Sequence, residues 1–241
     1  MSLNINNEIF LIEEGNLKEY KGDLSHVTVP DGVIVIDEGV FCDHTELETI
    51  DLPSTLLGIA ASAFEGSGLR KIDIPDSVKL IGVDAFYDCT SLETVKLPAS
   101  LRELPDNVFA GCSALDGVVI PNKVTTIGYE AFSACISLGS ITIPESVKSL
   151  GENVFYNCLY LEKAIVSAKI KQIPKSCFYK CFELKEVELS DSITEICDDA
   201  FAYCDKLEKF LFGDKLTKIS PYAFENCNKK VCVTDGKTAF I

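Results

Sequence analysis

The sequence is poor in the side chains that do chemistry. Its 241 residues hold two histidines, His26 and His44, so general acid–base work would fall to carboxylates. None of these forms an evident constellation with a nucleophile or a second acid. The G-x-S-x-G nucleophile turn, a phosphate-binding loop, the H-E-x-x-H zinc motif and a dinucleotide fingerprint are all missing, and Gly66-Ser67-Gly68 is too short to stand for any of them. These absences argue against an enzyme, and no cofactor or metal is expected. Basic residues are also scarce: 22 Lys and Arg stand against 37 Asp and Glu, for a net charge of −15. Nucleic acids and anionic membrane surfaces are bound by clustered cations, so neither is an expected partner. No run of 18 or more apolar residues occurs, and no membrane insertion is expected within this segment. The start, Met1-Ser2-Leu3-Asn4, shows no basic stretch leading into an apolar one, so no signal peptide is visible. No Gly/Ser/Pro-rich linker or charge block interrupts the chain, which reads as one continuous unit.

What the chain does have is a period. Phe recurs at positions 41, 64, 86, 109, 132, 155, 178, 201 and 224, one interval being 22 residues and the rest 23. A fixed period of this size means that one structural unit is stacked on itself and buries its apolar face on its neighbours. Aligned on Phe, the repeat reads (A/V)-F-x-x-C-x-x-L-x-x-(V/I)-x-(L/I)-P-x-x-(V/L)-x-x-(I/L). Ala85-Phe86, for example, leads to Cys89, Leu92, Val95, Leu97, Pro98, Leu101 and Leu104. Val95 and Leu97 are two apart and point to one face of a short strand, with Lys96 on the other. Pro98, having no N–H, ends that strand, and the small or polar residues after it suit a turn. Leu101 and Leu104 belong to a return segment, read as a short second strand. The Ala-Phe step opens a tight helical turn, and Phe plugs the gap between coils. Because every coil travels the same way round, the strands run parallel about 4.8 Å apart, and nine coils make a rod or arc roughly 40 Å long.

These residues resemble the leucine-rich repeat subclass of BspA-like surface proteins, also called the Treponema pallidum type. The resemblance covers residues 24–227. It implies an α/β solenoid: a right-handed superhelix of about nine 23-residue coils with a parallel concave sheet, mostly short strands and turns. Residues 1–23 look like an N-terminal cap, with Phe10-Leu11-Ile12, Gly15, Leu17, Tyr20 and Gly22 forming a hairpin. Residues 228–241, where Lys230 replaces the expected Leu, are a C-terminal cap or a truncation point. The strand-ending Pro, present at 30, 53, 75, 98, 121 and 144, becomes Ser167, Ser190 and Gly213, and Ala164 replaces the strand Val. A looser or differently curved C-terminal third is expected from this. The resemblance also implies a cell-surface or secreted protein, a monomeric array that binds a protein or peptide ligand in adhesion or host contact. A structural spacer that displays another domain is the alternative.

Seven of the eleven cysteines form one column, 89, 112, 135, 158, 181, 204 and 227, each three residues after its Phe; His44 and Ser67 hold that place in the first two coils. Cys is a small buried hydrophobe whose S–H can donate to a backbone carbonyl at a tight turn. A zinc site needs four ligands around one point, which a linear ladder does not supply. Parallel Cβ vectors disfavour disulfides between rungs. Cys42, Cys197 and Cys232 lie off the column and are the likelier exposed thiols, while Cys177 replaces the Ala before Phe. Many unpaired buried thiols suit a reducing or anaerobic setting, which stands in tension with secretion.

The outward strand positions are those a solenoid uses for binding. The central column reads Thr28, Asp51, Asp73, Lys96, Val119, Thr142, Ile165, Glu188 and Leu211. The column two residues before it reads His26, Thr49, Lys71, Thr94, Gly117, Ser140, Lys163, Glu186 and Lys209. Asp51 and Asp73 are neighbouring acids that Lys71 is placed to neutralise. Val119, Ile165 and Leu211 are apolar where solvent is expected, and Gly117 leaves room for a ligand to approach the backbone. One reading is a binding groove centred on coils five to seven; the other is ordinary β-propensity on a half-exposed strand. The candidate surface comprises Asp51, Lys71, Asp73, Lys96, Gly117, Val119, Thr142, Lys163, Ile165, Glu188 and Leu211. Tyr87, Tyr156 and Tyr179, which follow their Phe, with Tyr160 and Tyr203 nearby, form a lesser candidate.

Overall fold

The computed structural model describes residues 5–6, 8–227 and 232–233. They form a β-solenoid of about nine coils: all but the fifth contribute a strand to one parallel face, each adds a two-residue strand to a second face, and a corner of turns carries Phe. Among the described residues there is no helix. The helical turn expected at the Ala-Phe step is instead a run of turns, closed within the coil by bonds such as Tyr87 N–H to Asp84 O at 2.9 Å. That corner is laddered as well: Phe64 N–H donates to Ala85 O at 2.9 Å and Phe132 N–H to Val154 O at 2.9 Å in the following coil.

The geometry of the corner needs left-handed backbone. The residue two after each Phe has positive φ in all nine coils: Asp43, Gly66, Asp88, Gly111, Ala134, Asn157, Lys180, Tyr203 and Asn226. Gly takes this conformation without cost and Asp or Asn at modest cost, whereas Ala134, at φ 55°, is strained by its Cβ.

The hairpin expected at the N-terminus is present. Phe10–Glu13 pairs antiparallel with Asn16–Tyr20 around Glu14 and Gly15, both with positive φ, as a two-residue hairpin turn requires. Asn16–Tyr20 then pairs parallel with Val35–Ile36 and so begins the second sheet. Tyr20 covers the end of the core, its ring centroid 5.1 Å from that of Phe41.

From Phe41 onward the rings form one continuous stack. Consecutive centroids are 5.2 Å apart at Phe41–Phe64 and 5.5 Å apart at Phe109–Phe132, and the same spacing continues to Phe201–Phe224 at 5.2 Å. The rings from Phe41 to Phe201 are fully buried. Burial of each ring contributes about 1.5–3 kcal/mol, and each offset-stacked pair adds about 0.5–1.5 kcal/mol.

The first sheet is not continuous. Strands His26–Thr28, Thr49–Asp51, Lys71–Asp73 and Thr94–Lys96 form one four-stranded parallel unit. Strands Ser140–Ile143, Lys163–Val166, Glu186–Leu189 and Lys209–Leu211, with Cys232–Val233, form a second. Coil five, expected to supply a strand like the others, supplies a single bridge between Thr94 and Gly117. Gly117 lacks the side chain that a strand packs against its neighbours, and its chain entropy opposes the extended state.

Coils seven and eight are paired over a longer stretch, not a shorter one. Where Ser replaces Pro, the recovered N–H extends the ladder: Ser167 donates to Ile143 O at 3.0 Å and Ser190 to Val166 O at 2.8 Å. The strands at Lys163–Val166 and Glu186–Leu189 accordingly have four residues. Of residues 228–241, only the backbone of Cys232–Val233 lies within the described part, pairing parallel with Lys209 and Phe210.

Removing one ring from the stack opens a cavity against two coils. Phe132→Ala is expected to lower unfolding stability by about 3–5 kcal/mol in urea titrations followed by circular dichroism; a loss below about 1 kcal/mol would refute the stack's central role. Ala134→Gly relieves the Cβ clash at the left-handed position. It is expected to raise stability by about 0.5–1 kcal/mol, the balance of strain relief against added chain entropy. A destabilised variant in the same titration would show that position 134 carries no strain.

Candidate functional site

The outward columns lie where the repeat places them, but their chemistry is uneven. Asp51 meets His26, Oδ2 lying 3.2 Å from Nε2, and His26 Nδ1 lies 2.8 Å from Thr49 Oγ1. The expected neutraliser, Lys71, makes no ion pair among the described residues, nor does Asp73 beside it. On coils seven to nine the face is zipped by charge. Lys163 Nζ lies 3.1 Å from Glu188 and 3.3 Å from Glu186, and Lys209 also engages Glu186. The hydrogen bond to Glu188, then that to Glu186, raises the Lys163 pKa, while Lys209 and then Lys163 lower that of Glu186. Lys163 and Glu188 are therefore committed to each other. Ile165 and Leu211, on either side of Glu188, are half-buried, and Thr142 is exposed.

Val119 is different. It is 83% exposed, the highest value among the exposed large apolar residues. It lies at the interruption of the sheet, over an open cleft of about 860 Å³. Leu97, half-buried Val118 and Ile120 form the apolar floor, and Lys96, Asn122 and Lys123 the rim. A Cβ added at Gly117 would meet nothing within 4 Å. Elsewhere, bonds such as Ile74 N–H to Lys96 O at 3.0 Å and Val29 N–H to Asp51 O at 3.0 Å close the end of the strand ladder; none joins Leu97 to Val119. The Phe stack records the same opening: the largest tilt between consecutive rings, 20°, is at Phe109–Phe132, where coil four meets coil five.

The tyrosines largely satisfy one another. Tyr156 stacks on Tyr179 at 4.9 Å, Tyr203 meets Tyr179 edge-on at 5.2 Å, and Lys180 Nζ lies 5.4 Å from the Tyr179 centroid. Tyr160 is exposed and Tyr87 half-buried. Among the described residues no three His, Cys, Asp or Glu side chains converge where they could hold a metal ion, and no helix is long and apolar enough to cross a membrane.

The cysteine column does what its spacing suggested. Each Sγ donates to the carbonyl of the Phe one coil earlier: Cys112 to Phe86 at 3.1 Å, Cys135 to Phe109 at 3.2 Å, Cys158 to Phe132 at 3.2 Å and Cys181 to Phe155 at 3.2 Å, with the same bond from Cys89, Cys204 and Cys227. The column is a ladder of weak bonds and not a ligand set. His44, in its first place, packs its ring against Tyr20 at 5.2 Å and keeps Nδ1 3.1 Å from Cys42 O. Cys42 and Cys197 are partly exposed; the side chain of Cys232 lies outside the described residues.

The profile of the BspA type leucine-rich repeat region, in six copies, matches residues 12–127 and 102–230. The chain belongs to the BspA-type leucine-rich repeat family. Its fold is similar to that of the T. pallidum leucine-rich repeat protein, with 23% identity, 85% of this chain and 91% of that one covered, and a TM-score of 0.60. It is similar to a leucine-rich repeat protein of Bacteroides ovatus, with 25% identity, coverage of 95% and 79%, and a TM-score of 0.60. It is also similar to a leucine-rich cell surface protein of Faecalibacterium prausnitzii, with 31% identity over 86% of this chain and a TM-score of 0.54; the chain spans 58% of that protein. No curated protein matches it. This BspA-type array is thus related to a bacterial cell-surface protein.

Burial raises the thiol pKa of Cys112, Cys135, Cys158, Cys177, Cys181 and Cys204, because a thiolate there would lose its water. Unfolded thiols ionise above about pH 8.5, so in that range the folded chain holds more protons than the unfolded one. Stability is then full below the unfolded pKa and falls as pH rises toward the folded values. The urea midpoint is expected to hold from about pH 6 to 8 and to decline above about pH 9, less steeply in Cys135→Ala and Cys158→Ala. Equal slopes in parent and variants would show that these thiols do not couple to folding.

Proposed function

We propose that this array is a non-catalytic protein-interaction module of a cell-surface protein and binds a protein or peptide partner on the face of its interrupted sheet. One observation carries the reading: the sheet opens at coil five, and there an 83%-exposed Val119 stands over an apolar cleft. A regular scaffold would pair coil five as it pairs the others, and exposed apolar surface next to unpaired backbone marks interaction sites. The relation to the F. prausnitzii cell surface protein supports the location. Coils five to seven do not act as one groove in this reading. Lys163 and Glu188 close the far end by pairing with each other, and the contact centres on Gly117 and Val119 with Lys96 and Thr142 beside them. A structural spacer would have no use for such an opening.

The test is an array of secreted and surface proteins probed in parallel with the parent chain, Val119→Asp and Leu80→Asp. Leu80 is 73% exposed but belongs to the second sheet. At least one signal is expected to fall about tenfold in Val119→Asp, a loss of hot-spot size, and to persist in Leu80→Asp. Both variants should unfold within about 0.5 kcal/mol of the parent. Signals that all survive Val119→Asp would refute the face and favour the spacer.

A further inference from the structure

We infer that the coil-five cleft takes an extended peptide segment that carries an apolar side chain followed by a carboxylate. The inference rests on the interaction reading above and adds the chemistry of the occupant. Three independent features converge on it.

The first is backbone. Strand Thr94–Lys96 pairs fully with Lys71–Asp73 on one side but is met on the other only at Thr94 by Gly117. Strand Ser140–Ile143 pairs with Lys163–Val166 and has no strand pairing toward coil five. Residues 118–120 pair with neither neighbour. Main-chain donors and acceptors of coils four and five are therefore available along one edge, which an added extended chain satisfies. Open space before Gly117 lets that chain come close.

The second is apolar. Leu97 and Ile120 are 8% and 5% exposed and end at the cleft, with Val118 and Val119 beside them. Alternate side chains of a bound strand point to one face, so one of them reaches this floor.

The third is charge. The chain carries −15 overall, yet no acidic residue lines the cleft while Lys96 and Lys123 do. Among the described residues neither lysine enters an ion pair, in contrast to Lys163, Lys185, Lys206, Lys209 and Lys218, each held by a glutamate. Asp73, opposite Lys96 in the register, makes no ion pair with it. Two uncommitted ammonium groups at the rim of an acid-poor cleft select a carboxylate and reject a basic segment.

The probes are acetylated, amidated hexapeptides of alternating valine and threonine that end in glutamate, glutamine or lysine, titrated against the ¹⁵N-labelled chain. The glutamate peptide is expected to move the Leu97, Gly117 and Val119 amides saturably, with the glutamine twin about fivefold weaker, as one partly exposed charge pair allows. The difference should vanish in Lys96→Gln/Lys123→Gln, and N-methylation of the peptide's central amide should abolish binding. Equal binding of the three peptides, or shifts away from coil five, would overturn the inference. If Val119→Asp still removed an array signal, the interaction face itself would stand. A dimer in sedimentation velocity that Val119→Asp dissociates would also overturn it, in favour of a second copy of this chain as the occupant.

Discussion

A phenylalanine ring in this protein is buried between the rings of the coils before and after it. That shared burial is the constraint on which the rest depends. It fixes the spacing of the coils, because stacked centroids sit 5.2–5.5 Å apart along the whole array, close to the strand separation of a sheet. It also explains why the neighbouring positions are so restricted. The same Phe that offers its ring to the stack offers its carbonyl to the cysteine of the following coil. The residue two places on must turn left-handed to bring the chain back to the sheet, and does so even where it is Ala, Lys or Tyr. The scaffold accepts that local strain because each coil is held by its stacked ring and by hydrogen bonds to its neighbours.

Holding on several sides is what lets one side open. Coil five keeps its ring between Phe109 and Phe155. It also keeps its second-sheet strand, with Thr126–Ile127 paired to both Glu103–Leu104 and Ser149–Leu150. With those two attachments intact, the loss of the first-sheet strand costs pairing but not the fold. The opening is thus a local departure from the pairing of the other coils on the first face. The contrast with coils seven to nine sharpens this. There the outward residues spend their charge on one another, and the serines that replace proline lengthen the ladder.

Much of the scaffold is legible in the sequence alone. Periodic Phe, the two-residue alternation of Val95 and Leu97, the hairpin around Gly15 and the hydrogen-bonded thiols all follow from local rules that act within one coil or between a coil and its copy. Two of the expectations that failed share a reason. The loss of Pro at 167 and 190 looked like loosening, but its effect depends on whether an acceptor waits on the next strand, and Ile143 O and Val166 O do. Lys71 looked like the partner of Asp51, but His26 reaches that carboxylate at 3.2 Å. The left-handed column is not legible in the sequence because its residues share a conformation and not a side-chain type.

The sequence by itself determined the solenoid, its period, its buried columns and the outward position of Val119 and Gly117, because a repeat imposes one environment on every equivalent residue. Only the tertiary structure decided which outward residues are spoken for. Whether Lys163 is held by Glu188, or Lys96 goes without an ion pair among the described residues, depends on side chains from different coils meeting within a few ångströms. Whether coil five pairs or stands open depends on hydrogen bonds to chains some 23 residues away. Those are competitions between neighbours, and spacing along the chain does not reveal their winner.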